Sequence, residues 1–160
     1  MNASEPDDIP GVAVRPPLLY LGALAAGTVL ELVMPLGAGL LQAPVWQGVA
    51  GGLAVVAGAC VMAMAMCGFK AAGTNVPTVL PATALVTTGI YTRSRNPIYV
   101  ALTTIYLGLA LALNAMWALG LLVPVLVVMH HGVIRREERY LERKFGDAYR
   151  SYSARVRRWL

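Results

Sequence analysis

This chain is short of charge. Asp, Glu, Lys and Arg make up 13% of its 160 residues, about half the share usual in soluble proteins. A soluble fold needs a charged shell, so the shortage excludes an ordinary water-soluble domain. Metal-binding side chains are also scarce: Cys60 and Cys67 are the two cysteines, His130 and His131 the two histidines. The cysteines share one face of one apolar run, so they cannot pair with each other. No Cys/His spacing resembles a zinc site, and no metal is expected. A basic n-region is missing before the first apolar run. Glu5, Asp7 and Asp8 stand there instead, and the run is too long for a signal-peptide core, so a cleavable leader is not expected. No nucleic-acid-binding motif accompanies the net charge of +5, which argues against nucleic acid as a partner.

What the chain has in quantity is hydrocarbon. Hydrophobic residues reach 58% and the mean hydropathy is +0.63. Four apolar segments stand out, at 17–41, 46–69, 98–113 and 116–134. A spanning helix needs about 20 residues. The expected fold is therefore all-α: a polytopic membrane helical bundle of about four transmembrane helices. Pro35, Gly37 and Gly39 predict a break near Met34, and Asn114 a tight hairpin between the last two helices. Residues 1–15 are polar and read as disordered. Residues 16–160 read as one membrane-embedded domain, with no room for a second. In the tail Leu141, Phe145, Tyr149, Tyr152, Val156 and Trp159 recur at helical steps. They predict an amphipathic interfacial helix with a junction at Gly146 and Asp147. Gly48 and Gly52, with Gly51, Gly58, Ala59 and Ala63 beyond, have the spacing that lets helices approach closely, within the bundle rather than between copies. The oligomeric state is not readable.

Charge placement predicts orientation. Arg15 is followed by Lys70, Arg93 and Arg95, then by nine basic and four acidic residues from 135 onward; the connections at 42–45 and 114–115 carry no charge. With four spans, every basic segment falls on one side, so both termini are expected in the cytoplasm. The tail suits anionic membrane lipids, at about 1 kcal/mol per basic residue near the surface. Glu31 would cost on the order of 3 kcal/mol at mid-bilayer. It is expected at the opposite interface, just before the break, rather than in a proton site.

Two polar clusters flank the last hairpin. The first is Gly89-Ile90-Tyr91-Thr92-Arg93-Ser94-Arg95-Asn96-Pro97-Ile98-Tyr99, the second Arg135-Arg136-Glu137-Glu138. Asn96 is placed to cap a helix and Pro97 to fill its first turn. Free N–H groups there favour an anion, and Arg93 or Arg95 adds a bidentate carboxylate contact. Glu137 and Glu138 accept hydrogen bonds from hydroxyls or an amine. Read alone, arginines at a cytoplasmic helix end are usually topology signals, and a Glu-Glu pair among arginines is usually a solvated face. The connection 70–96 exceeds the length usual for a plain loop, about 12–15 residues, and is moderately apolar, so a lid is one reading.

The string Ser94-Arg95-Asn96-Pro97-Ile98-Tyr99 resembles the Arg-His/Asn-Pro-x-Tyr motif of the isoprenylcysteine carboxyl methyltransferase and phospholipid methyltransferase superfamily. Leu85-Val86-Thr87-Thr88-Gly89-Ile90-Tyr91 looks like its lead-in, and Ala72-Gly73-Thr74 like a bacterial family pattern. Arg136-Glu137-Glu138-Arg139-Tyr140-Leu141, then Phe145-Gly146 and Tyr149, resembles its C-terminal signature. The likeness runs from about 69 to 160. It implies a multi-pass membrane methyltransferase without a Rossmann domain, its active site on the cytoplasmic side. Such enzymes use S-adenosylmethionine and release S-adenosylhomocysteine; the cofactor-binding half would be about 70–160. Carried over by position, Tyr91, Arg95, Asn96, Pro97, Tyr99, Glu137 and Glu138 would bind the cofactor. Arg95, Glu138 and His130 are the candidates for catalysis, His130 because it precedes Glu137 by seven residues on one helical face. Asn96 stands where isoprenylcysteine enzymes commonly carry His, and an amide cannot titrate. The additional N-terminal spans of the eukaryotic enzymes are also absent.

The expected reaction is direct methyl transfer to a lipophilic small acceptor entering from the membrane. The acceptor would be a prenylcysteine-like carboxylate or a thiol, with a phospholipid head-group amine as the alternative. A competing reading from another class is a non-catalytic membrane scaffold, which the small-residue spacing and basic tail fit without a cofactor.

Overall fold

The computed structural model describes residues 9–36, 44–76 and 80–160. Among the described residues five α-helices run in chain order: α1 (Pro16–Val33), α2 (Pro44–Ala71), α3 (Pro97–Ala112), α4 (Met116–Val128) and α5 (Arg135–Arg155). A 3₁₀ turn (Gly89–Thr92) precedes α3, and a π-helical segment (Met129–Ile134) joins α4 to α5 without a break. No strand occurs among the described residues.

Helix boundaries follow local chemistry. Prolines open α1 and α3 at their first turns, where no N–H is needed. α1 ends where expected, with Met34 at φ −136° and ψ 75°. The continuation of that segment to 41 and the connection at 42–45 fall largely outside the described residues. Asn114 turns the chain from α3 to α4 at φ 51°, a left-handed conformation that Asn tolerates.

Among the described residues three helices are long and apolar enough to cross a membrane, α1, α2 and the continuous helix Met116–Arg155, and α3 is a shorter apolar helix. Leu21, Leu32, Leu53, Val56 and Val123 point outward with most of their surface exposed. A water-soluble fold would bury them, whereas a bilayer solvates them. The molecule is a membrane helical bundle.

Packing inside it relies on small residues. α2 lies so close to α3 that a methyl added at Gly51 would meet the Gly108 carbonyl oxygen at 2.5 Å. Gly58 faces Ile105 and the Ala101 carbonyl in the same way. Of the small residues read from spacing, Gly48 and Gly52 instead face open space. Because α2 is apolar on every side, spacing alone could not tell its packed face from its free one. α1 packs on α4, where Gly27 meets Ala118, and Tyr20 joins Tyr106 edge to face at 5.9 Å in the core.

The bundle has two unlike ends. At one, the Asn114 turn lies beside the end of α1: Glu31 Oε2 accepts the Trp117 backbone N–H at 3.3 Å, and the Trp117 indole N–H donates to the Met34 carbonyl at 2.8 Å. The other end gathers the N-terminal segment, the connection after α2, α5 and the tail. Residues 1–8 of the segment read as disordered lie outside the described residues. Residues 9–15 cross the π-helical turn: the Ala13 N–H donates to the Gly132 carbonyl at 3.0 Å, and Arg136 donates to the Gly11 carbonyl at 2.7 Å.

Candidate functional site

The connection between α2 and α3 folds back over α5. Thr74 Oγ1 accepts the N–H groups of Thr83 and Ala84 at 2.8 and 3.1 Å, which draws the two limbs together. The Ala82 N–H then donates to the Tyr140 hydroxyl on α5 at 3.0 Å. Ala82 and Val86 are buried beneath it.

Under this cover lies a narrow pocket with about 70 Å³ of room inside, widening to about 670 Å³ once its open mouth is counted. Apolar side chains form most of its lining, among them Phe69, Val86, Ile98 and Leu141. Tyr91, Arg95, Asn96, Pro97, Tyr99, Glu137 and Glu138 are all in its wall. The two flanking clusters thus meet in one cavity. Arg93 is exposed and is not part of it, which leaves Arg95 as the arginine of the first cluster that reaches the cavity.

The polar groups divide into satisfied and unsatisfied. Tyr99 donates its hydroxyl to Glu137 Oε1 at 2.7 Å. Glu137 is only 6% exposed and lies just past the apolar run. Burial pushes its carboxyl up to about 7; the Tyr99 hydrogen bond opposes that shift and the neighbouring Glu138 charge adds to it. Arg95 and Glu138, each 16% exposed, are paired at 3.3 Å. By contrast, the Tyr91 hydroxyl and Arg95 Nε are buried without any hydrogen-bond partner. Buried polar groups are rarely left so, and both residues belong to the pocket wall. Tyr91 itself is held firmly: Phe69 meets its ring edge to face at 5.4 Å, and the Tyr152 hydroxyl donates to its carbonyl at 2.8 Å.

Asn96 departs from its expected role. It occupies the N-cap position of α3, yet its side chain makes no capping bond. Its amide donates to the Arg158 carbonyl at 2.9 Å, while Ser94 Oγ accepts the Asn96 N–H at 3.1 Å. The amide is drawn away because the tail returns to this motif: the Arg95 N–H donates to the Arg157 carbonyl at 2.9 Å. Arg158 then reaches Glu138 with both arms of its guanidinium, Nε to Oε1 at 2.9 Å and a terminal nitrogen to Oε2 at 2.7 Å.

His130 does not line this pocket. It lines a second, more open hollow of about 570 Å³ with Val100, Thr103, Leu126, His131, Trp159 and others. The π-helical segment is the reason: its wider turns break the coincidence of faces that seven residues give in an α-helix.

Sequence reasoning missed several parts of the wall. Tyr149 and Tyr152 belong to the tail's aromatic stripe, which read as a membrane anchor; both are buried against the protein and line the pocket. The tail breaks at Gly146, as expected, with φ 52° and ψ −123°, a left-handed conformation open to glycine. Arg158 had no signal beyond being one basic residue among nine. No cluster of metal-ligating side chains occurs among the described residues.

Comparison with known proteins adds a family. One described as phospholipid methyltransferase matches residues 46–148. Over 63 residues the chain is 48% identical to an uncharacterized protein of Haemophilus influenzae, a stretch that makes up 39% of this chain and 98% of that one. No solved structure matches.

Proposed function

The chain belongs to the phospholipid methyltransferase family, within the isoprenylcysteine carboxyl methyltransferase-like superfamily, and from that premise we propose that it transfers methyl groups from S-adenosylmethionine to a lipophilic small acceptor. Membership makes it an integral membrane methyltransferase at the level of the family. The observation that carries the finer reading is the pair of orphaned donors, the Tyr91 hydroxyl and Arg95 Nε, in a pocket that also holds Glu137 and Glu138. S-adenosylmethionine presents a carboxylate, an ammonium and a ribose diol. Arg95 suits the first, Glu138 the second, and the Tyr91 hydroxyl the third.

When bound, S-adenosylmethionine would supply an electrophilic methyl. The residues of the chain do the rest. Arg95, Asn96, Pro97 and Tyr99 hold the floor of the pocket at the start of α3, and the connection over Ala82 and Val86 excludes water. Positioning and exclusion of water suit a direct transfer that needs little covalent help. The hollow lined by Val100, Thr103 and Leu126 lies one turn further along α3; it offers an apolar approach for the acceptor, with His130 in its wall. This reading takes the pocket end of the bundle as cytoplasmic, since the basic segments gather there.

A second reading, transfer to a phospholipid head-group amine, draws on Glu137. An amine must lose a proton as it gains a methyl, and a buried carboxyl pushed up to about 7 suits accepting it near neutral pH. If the acceptor is instead a carboxylate or thiolate, no such base is needed.

Labelled methyl transfer to a lipid extract, with mass identification of the product, tests the whole reading. A labelled lipid whose formation ceases in Glu138→Gln is expected. No saturable S-adenosylhomocysteine binding under several lipid conditions would overturn it.

A further inference from the structure

Arg158 lies beyond the stretch matched by the family and outside the pocket wall, yet it holds Glu138 more closely than Arg95 does. Its guanidinium takes both oxygens of Glu138, at 2.9 and 2.7 Å. Arg95 is left with one longer contact, 3.3 Å, to the oxygen that Arg158 Nε already occupies. The remaining consequence is on Arg95 itself: its Nε stays unpaired.

We propose that Arg158 is a positioning residue that keeps Arg95 open for the carboxylate of the bound methyl donor. The inference rests on the S-adenosylmethionine reading above. A carboxylate and a guanidinium at this range close into a two-bond fork when nothing competes. With Arg158 absent, Glu138 is free to take both arms of Arg95, and the donor set for an incoming carboxylate is lost. With Arg158 present, two guanidinium groups share one carboxylate, so the site keeps a positive charge facing the cavity. The tail's backbone fixes Arg158 in this place. The Arg95 N–H binds the Arg157 carbonyl at 2.9 Å, and the Asn96 amide binds the Arg158 carbonyl at 2.9 Å. The motif that carries Arg95 therefore also holds the residue that keeps Arg95 available.

The test compares two ligands by calorimetry on the full chain in lipid nanodiscs. One is S-adenosylhomocysteine. The other is S-adenosyl-3-thiopropylamine, which keeps the amine and lacks the carboxylate. Arg158→Ala is expected to weaken S-adenosylhomocysteine about tenfold or more, the loss of one charge-assisted contact, and to leave the decarboxylated ligand within about twofold. Arg158→Lys, which keeps the charge but cannot fork, restores only part of the carboxylate preference. Equal weakening of both ligands would reduce Arg158 to a structural role and overturn the inference. Should Arg158→Ala fail to fold, the ratio of the two affinities in Arg158→Lys decides between the same two outcomes. If the wild-type chain binds neither ligand, the cofactor reading fails first and takes this inference with it.

Discussion

Each end of the bundle holds a hydrogen-bonded carboxylate, and the two ends use it differently. Glu31 accepts the N–H of Trp117 in the first turn of α4. That bond satisfies a helix terminus in a place where water is scarce, and the neighbouring Trp117–Met34 bond finishes the stitch. Glu138, at the other end, sits between two arginines at the edge of a cavity, beside the unpaired Arg95 Nε. A carboxylate that completes secondary structure leaves nothing over for a ligand. One that shares its cations beside an empty volume leaves donors over. What sets the pocket end apart is that its unpaired donors, the Tyr91 hydroxyl and Arg95 Nε, belong to residues that border a cavity.

Glu137 offers the largest test of this contrast. Its carboxyl, raised by burial from 4.5 to about 7, holds its proton more tightly in the folded protein than in the unfolded chain. Stability from this group is therefore complete below about pH 4.5 and is lost as the pH rises to about 7, with a flat profile beyond; the loss is on the order of 3 kcal/mol. Thermal unfolding at pH 5, 6, 7 and 8 should show a falling melting temperature across the lower half of that range. Glu137→Gln should flatten it, and an unchanged slope in the variant would mean that the pocket end does not carry this buried proton.

Next in size is a comparison of the acids at opposite ends. Glu138→Gln should weaken S-adenosylhomocysteine about 30-fold, since a charge-assisted contact is lost and two arginines are left without their shared carboxylate. Glu31→Gln should change that affinity less than about twofold. Equal losses would dissolve the distinction between the ends.

The smallest effect is expected at Tyr91. Tyr91→Phe removes a buried hydroxyl that has no partner, so the empty protein should gain about 1 kcal/mol in unfolding free energy while ligand affinity drops about threefold. A loss of stability on this substitution would show that the hydroxyl is already satisfied without ligand.

Much of this contrast was legible in the chain, and the illegible parts share a cause. Pro97, Asn114, the break after Val33 and the kink at Gly146 are backbone events with strong residue preferences, so their positions could be read directly. The meeting of Arg95 with Glu138 was readable because two specific motifs flank one hairpin. The tail's return was not, because it depends on the Arg95 N–H and the Arg157 carbonyl, and backbone groups carry no residue signature. Which of the small residues of α2 form its packed face was not readable for a related reason. Gly48 and Gly52 have the same chemistry as Gly51 and Gly58, and only the position of Gly108 on α3 decides between them. The π-helical segment likewise has no compositional mark, so His130 was expected beside Glu137 and lies in the neighbouring hollow instead.

That segment separates two demands on one long helix. Upstream, α4 must turn Leu122 and Val125 toward the other helices; downstream, α5 must turn Glu137 and Glu138 toward Arg95. An unbroken α-helix has a single azimuth, advancing about 100° per residue, and would have to meet both demands at once. The wide turn at Met129–Ile134 takes up one residue of slack, so the two halves set their azimuths independently, and the Gly132 carbonyl holds Ala13 across the turn. If the turn relaxed into α-helix with no residue removed, both carboxylates would swing by about 100° and leave the cavity without an acid. Shortening the chain by one residue there would keep the carboxylates on their present heading.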